Sequence, residues 1–180
     1  MRVVFCSFVK KIVALRNRQS GTRYTNVMSM NILSKSFIQF ILNKDISDLN
    51  LSELFEWGKQ NGLTGELLSW CPKNFEFLDG AGEPKLFGAL DSEKIDLCIM
   101  PISWGSPEAL ASQFEETLEE IEPLFSEKGL LGPELNHADI KAAKWALGLG
   151  AIWLYQDARD PQNGSELSIS FRSCANASAY

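Results

Sequence analysis

A chain of 180 residues with 45% hydrophobic and 22% charged side chains suits one globular domain with a core of ordinary size. Its net charge of −6 is unevenly spread: residues 1–44 hold eight Lys and Arg and no acid, while the rest holds nine basic and 23 acidic side chains. An acidic body of that kind repels nucleic acid and anionic membrane, and it suits solubility or a partner with a basic surface.

Chain chemistry is sparse. Cys6, Cys71, Cys98 and Cys174 show no paired spacing, and no secretory signal precedes them, so free thiols in a reducing compartment are expected. The expected address is the cytoplasm. One histidine, His137, excludes zinc and copper sites that need several imidazoles, and no metal or other cofactor is expected.

Residues 1–29 are basic and lack acid, and three readings remain open. They are a translated leader upstream of a true start at Met28 or Met30, or a mitochondrial transit peptide with Phe5, Val9 and Ile12 on one helical side. The transit reading moves the address to the mitochondrial matrix. Alternatively they form a basic arm that belongs to the fold.

A globular domain is expected over residues 30–162. Ile32, Leu33, Phe37, Phe40 and Ile41 follow helical spacing and predict a helix ending near Asn43. Asn50 or Ser52 caps a second helix, which stops at Gly62, and Thr64 opens one or two further turns closed by Pro72. Phe75 and Phe77 alternate before turn signals at Asp79-Gly80 and Gly82. The run Ile95–Met100 fits a strand or a buried helical turn, and Asp91-Ser92-Glu93 favours the helix.

Ser106-Pro107-Glu108 is a helix start with N-cap, Pro at the first position and acid in the first turn. Leu110, Phe114, Leu118, Ile121 and Phe125 carry that helix over 107–128, with Pro123 as a kink or restart. The next stretch, Asn136 to Ala158, reads as a buried helix over 137–158, because Trp145 to Tyr155 is apolar on every face. It is too short to span a bilayer. Ala142, Ala146 and Gly150 recur every four residues, as a seam on which a second helix could lie. Residues 163–180 are expected to be loop, one possible edge strand at Leu167, Ile169 and Phe171, and a frayed tail. These elements predict a mainly α, single-domain helical bundle, with helix 137–158 paired against helix 107–128 and at most a small β element.

Candidate sites divide into two kinds. Glu115, Glu116, Glu119 and Glu120 place like charges four residues apart on one helix face, a crowding that a basic partner would relieve. The plainer alternative is a solvated face. A Cys–His pairing of Cys71 or Cys98 with His137, beside Trp145 and Trp153 as pocket walls, would give a nucleophile and an aromatic site. Here too a plainer alternative exists, thiols and tryptophans as ordinary core. Glu134 and His137 form a single Glu-x-x-His unit, where a di-iron bundle needs two. Gly148 and Gly150 lack the Lys-Ser or Lys-Thr of a phosphate loop. The expectation is a small acidic intracellular interaction module without catalysis, of adaptor, immunity or accessory-subunit type. The alternative is an enzyme or small-ligand binder with a tryptophan-lined pocket.

Overall fold

The computed structural model describes residues 27–44, 49–71, 73–91, 94–132, 141–157 and 165–173. Two helices come first, α1 (Val27–Leu42) and α2 (Leu51–Gln60). Four strands follow: β1 (Thr64–Leu67), β2 (Asn74–Leu78), β3 (Pro84–Asp91) and β4 (Lys94–Gly105). Helix α3 (Pro107–Ile121) and a 3-10 turn (Glu122–Leu124) lead to β5 (Leu130–Gly132), β6 (Ala142–Ala146), β7 (Gly150–Asp157) and β8 (Ser165–Ser173). The strands form one antiparallel sheet in the order β1-β2-β3-β4-β8-β7-β6-β5. The described elements are thus two successive units, two helices and then one helix, each set followed by a four-stranded meander, and the meanders are fused along the β4–β8 seam.

This architecture overturns the mainly α bundle. Residues 142–157 of the expected helix 137–158 form the hairpin β6–β7, and residues 137–140 and Ala158 lie outside the described residues. The physical reason is burial on both sides of the sheet. Ala143, Trp145, Ile152 and Leu154 face the helices, while Ala142, Ala151 and Tyr155 on the other side are also below a tenth exposed. A strand covered on both faces shows no alternation and reads like a helix that is apolar all round. The turn is made by Leu147 to Gly150, closed by a Leu147 amide to Gly150 carbonyl bond of 2.8 Å, with Gly148 at φ +66°. A glycine at the first central position with positive φ matches the twist of a two-residue hairpin. Ala142, Ala146 and Gly150 therefore form no helical seam.

Three further expectations are corrected. Ile95–Met100 lies inside β4, and Thr64–Leu67 is β1 rather than a helical turn. Leu167, Ile169 and Phe171 do lie in a strand, but β8 is paired on both sides and sits in the middle of the sheet. Helix 107–128 ends at Ile121, where Pro123 cannot continue an α-helical ladder and the chain tightens into the 3-10 turn.

The helices agree with their caps. Asn50 accepts from the Glu53 amide at 3.1 Å, and Ser106 accepts from the Ala109 amide at 3.3 Å ahead of Pro107. All three helices pack on one face of the sheet. Phe37, Ile38, Leu54, Trp57, Leu110 and Phe114 meet Phe77, Met100, Ile152, Leu154, Ile169 and Phe171 in a single core. Burying each such side chain stabilises by about 1.5–3 kcal/mol before the entropy of ordering is charged against it.

The β2–β3 hairpin is held by one side chain. Asp79 accepts from the amides of Ala81 and Glu83 at 2.9 and 2.8 Å, and Lys85 lies 3.3 Å away. Partial burial raises the Asp79 pKa, but the two amides and the ammonium outweigh it and hold the carboxyl below its ordinary range. A depressed pKa contributes stability that is complete above the unfolded-state value and disappears as pH falls through the folded-state value. Asp79→Asn is expected to cost about 1 kcal/mol at neutral pH, and urea melts should show parent and variant converging in strong acid.

Candidate functional site

Helix α3 is amphipathic by spacing. Leu110, Phe114, Thr117 and Ile121 are buried, which leaves Glu115, Glu116, Glu119 and Glu120 on the exposed side. The chain neutralises part of that row itself. Lys141 Nζ lies 2.6 Å from Glu115, Lys35 Nζ lies 3.2 Å from Glu120, and Ser112 donates to Glu116 at 3.2 Å. Glu119 has no partner among the described residues. Both ion pairs are well exposed, so each contributes no more than about 1 kcal/mol.

The acidic row borders the end of the sheet. β5 pairs only with β6, so its outer backbone groups have no partner among the described residues. Leu130 and Leu131 on this strand are 76% and 66% exposed. Between α3 and the edge lies a shallow open depression of about 260 Å³, lined by Phe114, Glu115, Leu131, Gly132, Lys141 and Ala142. The Lys141 ammonium sits 5.8 Å above the Phe114 ring and also reaches Glu115. An unpaired edge flanked by apolar side chains and a carboxylate row can accept an added strand that carries basic side chains.

Of the residues proposed for a Cys/His pocket, the two cysteines lie in different parts of the fold. Cys98 is fully buried in the helix-side core, opposite Gly88 and Phe171, and desolvation pushes its thiol pKa well up. A thiol so buried is a poor nucleophile. Cys71 is half-buried in the β1–β2 turn, where the Asn74 amide group lies 3.0 Å from its sulfur. His137 lies outside the described residues.

The tryptophans do not gather either. Trp145 pairs with Ile152 and Trp153 with Lys144 in the same hairpin, so their side chains point to opposite faces. Trp145 stacks on Phe125 at 4.3 Å, and Trp153 lies beneath the Lys144 ammonium at 4.6 Å. Trp57 bonds Ser36 between α1 and α2, while Trp70 and Trp104 are 57% and 44% exposed. Among the described residues, no group of three or more His, Cys, Asp or Glu is placed to hold a metal ion.

The edge was missed because its signal is faint. Leu130-Leu131 is an apolar pair in a connection that otherwise looks like loop. Only the topology makes it an outer strand. No described helix is long and apolar enough to cross a membrane. Comparison with known protein families, curated proteins and solved structures finds no match.

Proposed function

We propose that the protein is a non-catalytic interaction module of the cell interior, taking an extended, basic segment of a partner protein along β5 beside α3. The observation that carries this reading is the outer side of β5, which has no partner among the described residues, with Leu130 and Leu131 exposed and Leu131 lining the same depression as Glu115. An added strand would gain affinity from backbone hydrogen bonds, and its side chains would set specificity. An apolar side chain would enter the depression against Phe114 and Ala142, while basic ones would meet Glu116 and Glu119. The carboxylates would then act mainly on encounter rate and salt dependence.

A peptide of alternating Lys and Val is the direct probe. Titrated into labelled full-length protein, it should shift the amide signals of Leu130 to Gly132 and bind more weakly as salt rises. Leu131→Lys should abolish those shifts by placing a like charge on the edge. Changing Glu115, Glu116, Glu119 and Glu120 together to Gln should weaken binding while stability holds or rises, because helical repulsion is relieved. Binding that ignores salt and survives both variants would refute the reading.

A further inference from the structure

The sheet face away from the helices is not built like a wet surface. An antiparallel sheet with helices on one side ordinarily exposes polar residues on the other. Here Phe87, Leu97 and Ile99 form a second apolar cluster, separate from the core, with 8%, 6% and 7% exposure. Ser168 and Ser170 beside them are 0% and 1% exposed. The row Phe87, Ile99, Ser170, Trp153 and Lys144 runs across five paired strands. None of the described helices packs there, since all three belong to the other face.

We propose that this face is the docking site of the chain's own N-terminal segment, residues 1–26. Those residues lie outside the described ones, so the argument rests on their sequence and on the face. Within Val3–Leu15, the sequence spacing of Phe5, Val9 and Ile12 is that of an apolar stripe and would put them on one side if the segment were helical. Thirteen helical residues measure about 20 Å, and the four strand spacings from β3 to β6 measure about 19 Å. The segment carries six Lys and Arg and no acid, and the face is fringed by Glu66, Glu76 and Glu166.

The direction of α1 fits as well. Ser34 bonds Met100, and beyond the end of α1 Leu49 accepts from the Ile95 amide, so α1 runs antiparallel to β4. It therefore starts toward the Trp104 end of that strand, from which a chain can pass over the rim. The alternatives are short: residues 133–140, 158–164 and 174–180 offer eight, seven and seven residues. A second copy of the chain cannot explain burial that is already present in one copy.

The test uses the full chain with Cys71→Ser and Cys174→Ser, leaving Cys6 as the reactive thiol because Cys98 is buried. A nitroxide on Cys6 should at least halve the intensity of the Trp153 indole signal and of the Leu97 and Ile99 methyl signals, independent of concentration. The Leu118 methyls on α3 should keep theirs. A second variant needs no label. Changing Phe5, Val9 and Ile12 together to Asp should shift the Leu97 and Ile99 methyls but not those of Ile152 and Leu154 on the helix side. Three results would overturn the proposal: no broadening of the face, broadening confined to Glu116 and Glu119, or broadening only between labelled and unlabelled chains in a mixed sample.

Discussion

Gly88→Ala should destabilise the protein by about 3 kcal/mol or more, the upper end for forcing an extra methyl into a packed interior. A Cβ at Gly88 would lie 1.9 Å from the Leu97 carbonyl oxygen and 2.7 Å from the Phe75 ring. The first contact is with backbone, which cannot swing aside as a side chain does. Leu97 is also held from its far side, because β4 pairs with β8 and places it opposite Arg172. Relief would require parting β3 from β4 near the bulge that follows Ala89, where Leu90 pairs with Ile95. Denaturant melts should show a lower midpoint with an unchanged slope. Gly80→Ala is the control, since a Cβ there meets nothing within 4 Å, and its effect should stay within about 0.5 kcal/mol. Equal midpoints for the two variants would mean that β3 and β4 are not spaced as described.

The second large effect is expected at Phe77. Its ring is fully buried, edge-on to Phe75 at 5.8 Å and tilted against Phe55 at 5.3 Å. Two glycines make room for it. A Cβ on Gly58 of α2 or on Gly65 of β1 would come within 2.4 or 2.5 Å of the ring. Phe77→Ala should therefore cost about 3–5 kcal/mol, the range for emptying a buried aromatic site. The glycines should be coupled to the ring. Gly65→Ala should be harmful in the parent and milder in a Phe77→Leu background, which a double-mutant cycle measures directly. Strict additivity would show that the glycines are not there for Phe77.

Legibility followed the range of the interactions. The starts of α2 and α3 could be read because Asn50 and Ser106 cap amides only three residues away. The β2–β3 turn could be read for the same reason, since Asp79 binds its own hairpin. The sheet could not be read where both faces are buried. In AAKWALGLGAIWLY and in IDLCIMPI, periods of 3.6 and 2 fit equally well, and only Gly148 marks the turn. In β8 the serines alternate with Leu167, Ile169 and Phe171 as solvent-facing residues would. Ser168 and Ser170 are in fact buried, and the strand is central rather than outer. The acidic row of α3 was visible as a four-residue repeat. The lysines that pair with it, Lys141 and Lys35, come from β6's approach and from α1, which the row itself cannot announce.

The β4–β8 seam also sets an order of assembly. Every other pairing in the sheet joins strands that follow one another in the chain, so each meander can zip from a local turn. The seam instead joins Leu97 to Arg172 and Gly105 to Ser165, across the whole second meander. Closing a loop of that size costs entropy before any seam contact can offset it. Pairings of long sequence separation are what make sheet proteins slow to fold. Two half-sheets are thus expected early, each with its seam edge raw in addition to its outer edge, and their collision is the slow event. Until it occurs, β4 and β8 are the strands most open to pairing with a second chain.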